Sequence, residues 1–167
     1  MDAIEVLREL HGRVPPLVEA AVADLTPEDL TWAPAAGANT IGWLVWHLTR
    51  VLDHHLADLA GDSQLLLTFS DRFGREAAPD ETGYGDSADQ VAAVRPESAD
   101  ALTAYHAAVH QRILLFLDRC SEADLDRVVD ESWDPPVTLG VRLVSMADDA
   151  LQHAGQASYL RGLLRES

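Results

Sequence analysis

The sequence predicts an all-α fold, a four-helix bundle that forms one domain over residues 1–167. Four long segments carry apolar residues at the 3.6-residue period of an amphipathic helix, and the few β-signals are short and do not alternate. A hydrophobic content of 47% with 24% charged residues is typical of a globular chain, and 167 residues suffice for one well-formed core. We therefore expect the apolar stripes of the four segments to face one another.

The first two segments cover residues 2–23 and 41–59. Pro15 and Pro16 are expected to kink or break the first, because proline removes a helical hydrogen bond. Thr26 can cap a short helical turn that follows. Thr40 can cap the second segment, which stops at Gly61, a residue suited to the left-handed end of a helix.

The last two segments cover residues 98–117 and 139–165, the latter after a potential cap at Thr138. Between the second and third segments lies a long connection, residues 62–96, with several glycines and prolines and little periodicity. A connection of this length in a small domain is usually functional or wraps the bundle. The weak β-signals fall at 64–69 and 127–129.

The composition excludes several classes of partner. A formal charge of -16 argues against binding nucleic acid or an anionic membrane surface, and against binding a strongly anionic ligand away from a local positive centre such as a metal. The single cysteine, Cys120, cannot form an internal disulfide, which favours a reducing compartment. With no signal peptide and no apolar run near 20 residues, the sequence predicts a soluble cytoplasmic protein.

The strongest chemical signal is the pair Asp149 and His153, four residues apart on the last helix. Such residues share one helix face, here the face that also carries Met146, Ala150 and other apolar residues. A buried charge needs a partner, so the two side chains either satisfy each other or hold a metal. His47, at the edge of the apolar stripe of the second helix, could supply a third ligand and leave an open position, as catalytic zinc requires.

Other residues in the sequence allow more than one interpretation. His106 and His110 form a second pair with the same spacing, which either packs in the core, binds a metal or lines a cavity as acid–base groups. Trp43 and Tyr105 can form the wall of a substrate pocket or simply pack. We expect His54 and His55 to be packing or surface residues, and Arg50 and Arg161 to lie on solvated helix faces rather than to meet a carboxylate-bearing ligand.

Several stretches resemble the DinB-like superfamily of metalloenzymes, and in particular an actinobacterial branch of it. The resemblance covers essentially the whole chain and is carried by residues 39–48, 71–74, 82–85, 105–106, 133–145 and 151–156. It implies an up-down-down-up four-helix bundle, often dimeric.

The resemblance also implies a divalent metal, zinc by preference or nickel, held by three histidines. His47 and His153 match two of them, whereas Asp149 stands where the family usually has a histidine. Aspartate is a competent oxygen ligand for zinc, so the implied metal ligands are His47, Asp149 and His153.

The resemblance also implies an activity, because characterised members of the superfamily include transferases and isomerases that use low-molecular-weight thiols. The likeness to the actinobacterial branch favours mycothiol as the thiol. The expected function is an S-transfer or isomerisation on small electrophiles, in the manner of detoxification enzymes. In this interpretation Trp43 and Tyr105 bind the substrate and His106 is the catalytic residue that moves a proton. The alternatives are a metal-dependent hydrolase and a non-catalytic small-molecule-binding stress-response bundle.

Overall fold

The computed structural model describes residues 1–76 and 78–165 and is mostly helical, with one small two-stranded sheet. The helices are α1 (Ala3–Gly12), α2 (Val14–Val22), α3 (Pro27–Leu30), α4 (Ile41–Ala60), α5 (Leu66–Phe69), α6 (Ala88–Ala93), α7 (Ala99–Leu117) and α8 (Leu139–Leu164). Short 3-10 helices cover Ser70–Arg72 and Glu122–Asp126. The prediction of four long helical segments is confirmed, with the first segment divided into α1 and α2 at Arg13.

The caps that the sequence indicates form as expected. The hydroxyl oxygen of Thr40 accepts a hydrogen bond from the backbone N–H of Trp43, and Gly61 ends α4 with a φ of 68°. Thr138 caps α8 in the same way, by accepting from the N–H of Val141. These caps define where the two helices that carry the candidate ligands begin.

The core lies between α2, α4, α7 and α8. Both α2 and α4 pack against α7 and against α8, and α1 packs against the same two helices. Every residue from 40 to 50 is buried, so the first half of α4 is the centre of the molecule. On α8, small side chains at Ala147, Ala150 and Ala154 allow the close approach of its neighbours.

The small sheet corrects the expectation of an entirely helical chain. Strand β1 (Val128–Asp130) pairs with β2 (Val137–Thr138) in an antiparallel arrangement, with Val128 opposite Thr138. The weak β-signal at 127–129 therefore marks a real strand. The other signal, at 64–69, becomes α5, because tertiary contacts override a short propensity. Among the described residues, no helix is both long and apolar enough to cross a membrane.

Candidate metal centre

Three side chains that could ligate a metal meet between α4 and α8. One nitrogen or oxygen atom from each of His47, Asp149 and His153 lies within 4.8 Å of the others. Around a tetrahedral zinc, ligand atoms stand about 3.3 Å apart. Small side-chain rotations would thus suffice to close the three groups around one ion.

The hydrogen bond made by His47 fixes which of its nitrogens can bind a metal. Its Nδ1 lies 2.7 Å from the carbonyl oxygen of Thr82. Since a carbonyl oxygen only accepts, Nδ1 must carry the proton, which leaves the lone pair on Nε2 free. Burial lowers the pKa of His47 below its usual value, so the ring stays neutral, as a ligand must be.

The backbone reaches His47 only because residue 83 is glycine. Gly83 has a φ of +97°, and a Cβ atom built there would lie 2.9 Å from Nδ1 of His47 and 3.0 Å from the ring of Trp46. Real Cβ atoms do not approach other atoms so closely, and a side chain is also strained at this φ. The absence of a side chain therefore allows the Thr82 carbonyl to reach the imidazole.

Trp43 covers one face of the His47 ring. The two rings are stacked, with centroids 4.6 Å apart and planes 9° from parallel. The indole N–H donates to Oδ2 of Asp86 at 2.9 Å, and Arg75 forms an ion pair with the same carboxylate. Burial alone would raise the pKa of Asp86, but hydrogen bonds from Arg75 and Trp43 outweigh it and lower that pKa. Trp43 thus has a fixed position next to the cluster.

Asp149 and His153 face each other across one turn of α8. Oδ1 of Asp149 lies 3.5 Å from Nε2 of His153, whose Nδ1 donates to Oε1 of Gln156 at 2.9 Å. The Asp149 carboxylate, and to a lesser degree Gln156, raise the pKa of His153 against the effect of burial. In this arrangement, too, the nitrogen that faces the cluster is Nε2.

One buried oxygen in the cluster lacks a partner. Within residues 1–76 and 78–165, no hydrogen bond reaches Oδ2 of Asp149, although that atom is inaccessible to solvent. An unpaired buried polar atom costs about 1–3 kcal/mol, and the cost is higher for a charged group. A cation between Asp149 and the two imidazoles would remove this cost, so the donor set fits a divalent metal.

Asp149 also lines a cavity of about 370 Å³ that opens beside the cluster. His55 and Arg142 form polar parts of its wall, and much of the remainder is apolar. The prediction that His55 is only a packing or surface residue is thus incomplete, since the residue is half-buried and lines this cavity. Cavities of this size accommodate small molecules.

The structure places Tyr105 and His106 in the interior, against other parts of α4. The Tyr105 hydroxyl donates to Oδ2 of Asp53 at 2.7 Å, and its ring packs between Phe69 and Phe73. His106 is buried, with Nδ1 3.3 Å from the hydroxyl of Thr49. Thr49 lies about 200° around α4 from His47, so His106 faces away from the cluster. The roles predicted for Tyr105 and His106 stay predictions.

Arg50 is the clearest departure from the sequence-based expectations. We expected it on a solvated helix face, but its side chain is fully buried. It donates to the carbonyl oxygens of Pro79 and Glu81, both at 3.0 Å, and pairs with Asp53. Arg50 therefore holds the segment that supplies the Thr82 carbonyl. Its position three residues after His47, about one helical turn, is the feature of the sequence that could have indicated this role.

Comparisons with known proteins identify a family and a similar overall structure. A family model described as the DinB superfamily matches residues 11–157. The crystal structure of a conserved protein from Enterococcus faecalis is similar to this chain, with 32% sequence identity and a TM-score of 0.90. The alignment covers 100% of this chain and 99% of the other. No curated protein matches the chain significantly.

Proposed function

Because this chain belongs to the DinB superfamily, we propose that it is a divalent-metal-dependent enzyme that acts on small electrophiles. The reaction that we favour is S-transfer or isomerisation with a low-molecular-weight thiol of the mycothiol type, as in detoxification. The observation that carries the metal part of the proposal is the unpartnered, buried Oδ2 of Asp149 beside two histidines whose Nε2 atoms are directed to the same place.

His47, Asp149 and His153 would hold the ion. Two imidazoles and a carboxylate suit zinc, with nickel as the alternative, and they leave a coordination position for another molecule. A divalent ion in such a site supplies a Lewis acid that lowers the pKa of a bound thiol or water. The Thr82 carbonyl keeps the His47 proton on Nδ1 and the ring correctly turned, and burial keeps that ring neutral. Trp43 keeps water from one face of the ring.

The remaining residue roles belong to the proposal as predictions. Trp43 and Tyr105 would bind the substrate and His106 would move a proton. His106→Gln tests the last role, because it retains a polar side chain at a buried position. Turnover equal to that of the wild-type enzyme would exclude His106 from proton transfer.

We also propose that the chain is one domain with helices in up-down-down-up order and that it forms a homodimer. Light scattering after size-exclusion chromatography measures the mass in solution. A mass of one chain at all accessible concentrations would exclude the dimer.

The metal is tested by elemental analysis of the purified protein. We expect close to one equivalent of zinc or nickel in the wild type and in Asp149→His, which restores the ligand usual in the family. His47→Ala and Asp149→Ala should lose most of the metal, because each removes one of three ligands. His110→Ala is the matched control, since His110 is a half-buried histidine on α7 outside the cluster, and it should retain the metal. A wild type without stoichiometric metal, or a His47→Ala variant that binds as much as the control, would refute the proposal.

The reaction is tested by titrating a thiol against a fixed concentration of a haloarene or an epoxide. Consumption of the electrophile that requires both metal and mycothiol supports thiol transfer. Hydrolysis of an ester or amide without any thiol would favour a hydrolase instead. Metal-loaded protein that binds small molecules but turns over none of these substrates would favour the non-catalytic alternative.

A further inference from the structure

We infer that the cavity beside the cluster binds small molecules that carry a carboxylate, with the guanidinium of Arg142 as the group that pairs with it. The inference rests on the proposed function, because it names the class of molecule that the same site accepts. It is carried by the position of Arg142, the polarity of the cavity wall and the charge of the protein.

Arg142 and Asp149 line the cavity from the same face of α8. They are seven positions apart, which is about two turns, or about 10 Å along the helix axis. A molecule whose carboxylate pairs with Arg142 would therefore place an atom a few bonds away next to the candidate metal ligands. This spacing makes Arg142 an orienting group at the far end of the cavity rather than a fourth ligand.

Two neighbours hold the guanidinium in a fixed orientation. Nη2 of Arg142 donates to Oδ2 of Asp130 at 2.8 Å, and Nη1 lies 3.1 Å from Nδ1 of His55. A guanidinium has five N–H groups, so donors remain for a ligand. Burial and the nearby Arg142 lower the pKa of His55 to about 4, and the neutral ring can thus accept from Arg142 without competing for an anion.

Most other parts of the wall are apolar. Val51, Val137, Val141 and Met146 line the cavity together with Trp133. A largely apolar pocket with a few convergent polar groups is typical of a small-molecule site, and the polar groups decide orientation and specificity. The chemistry of the wall thus fits a compact apolar or aromatic body with one anionic group.

The charge of the whole protein makes this position selective. With a formal charge of -16, most of the surface repels anions. The cavity brings a fixed cation to the wall, although Asp130 neutralises part of its charge. We therefore expect Arg142 to provide about 10- to 100-fold in affinity, the range for a hydrogen bond to a charged group.

Isothermal titration calorimetry with phenylacetate and phenylacetamide tests the inference. The two probes have nearly the same shape, but only phenylacetate is an anion. Wild-type protein should bind phenylacetate about 10-fold or more tightly than the amide. Arg142→Gln should lose this preference. Arg161→Gln is the matched control, because it makes the same charge change on α8 at a residue that bonds Ala21 instead, and it should keep the preference.

The comparison of the two probes on the wild type needs no variant, so misfolding of Arg142→Gln cannot obscure the result. Equal affinity for both probes, no binding of either, or an Arg142→Gln variant that keeps the preference would overturn the inference. Each titration is performed with zinc-loaded and with chelator-treated protein. Arg142-dependent binding in a protein that takes up no metal would refute the proposed function and support the inference, so the two failures are distinguishable.

Discussion

At His47, one backbone carbonyl decides which ring nitrogen faces the other two candidate ligands. The N–H at Nδ1 donates a hydrogen bond to the Thr82 carbonyl, so only Nε2 can bind a metal ion. A histidine held in one tautomer does not pay for rearrangement when an ion binds. The precision of the site at this residue therefore comes from the connection between α4 and α7, and not only from the helix that carries the histidine.

Substitution of Gly83 by alanine tests this dependence. A Cβ atom at this position would collide with Nδ1 of His47, whereas one at Gly85 would meet nothing within 4 Å. Both glycines have positive φ, so both alanine variants should lose about 1–2 kcal/mol in the free energy of unfolding. Only Gly83→Ala should also weaken metal binding, by about 10- to 100-fold, as loss of a ligand's hydrogen-bond partner does. Competition with a chromophoric chelator measures the affinity. Equal metal affinities of the two variants would show that the Thr82 contact does not matter.

Among the elements, α4 must satisfy several different contacts at the same time. It carries His47 toward α8 and Arg50 toward the connection, while its first turn rests on α3 and on Pro96. Gly42 permits that last contact, because a Cβ atom there would lie 2.8 Å from the carbonyl oxygen of Leu30 and 3.0 Å from Cγ of Pro96.

Alanine substitution at two helical glycines should therefore change stability in opposite directions. Gly42→Ala forces the backbone of α3 to move and should cost about 1–3 kcal/mol. Gly155→Ala lies on the exposed face of α8 with no atom within 4 Å, and it should gain about 0.5–1 kcal/mol from helix propensity. Urea denaturation measures both. A Gly42→Ala variant as stable as the wild type would mean that α3 has room to move.

Part of the fold and of the site could be predicted from the sequence. Apolar periodicity and capping residues predicted the long helices to within a residue or two. The spacing of Asp149 and His153 indicated two members of the cluster, and the resemblance to the DinB-like superfamily supplied His47 as the third. The apolar pattern and the spacing of Asp149 and His153 are both local signals, which can be recognised within one helix. The burial of Arg50 and the position of His55 in a cavity depend on how the connection and β1 fold back on the helices. No local pattern encodes such contacts, because the partner atoms are backbone carbonyls or lie far away in the chain.

For the whole molecule, two buried histidines and one half-buried histidine set a limit on acid stability. Burial lowers the pKa of His11 and of His55 to about 4 and that of His106 to about 3. The unfolded chain takes up a proton on each near pH 6.5, while the folded chain does not. These groups therefore leave the free energy of unfolding unchanged above about pH 6.5, and they lower it as the pH falls below that value.

His106→Met should make the protein less sensitive to acid. The variant removes one group that protonates only on unfolding, so the slope of unfolding free energy against pH should fall by about 1.4 kcal/mol per pH unit between about pH 6.5 and pH 4. Urea unfolding of chelator-treated protein across this range measures the slope. His110→Met, at a half-buried position, should change the slope less. Identical slopes for wild type and His106→Met would contradict the prediction.

The anchoring of residues 79–82 has a consequence for which changes in chain length the protein tolerates. Arg50 binds the carbonyl oxygens of Pro79 and Glu81, and His47 binds that of Thr82, from positions one turn apart on α4. An inserted or deleted residue between 79 and 82 would move one of these oxygens away from its donor, and a buried guanidinium or imidazole would lose its partner. The length of this four-residue stretch is therefore as much a determinant of the site as the identity of its ligands.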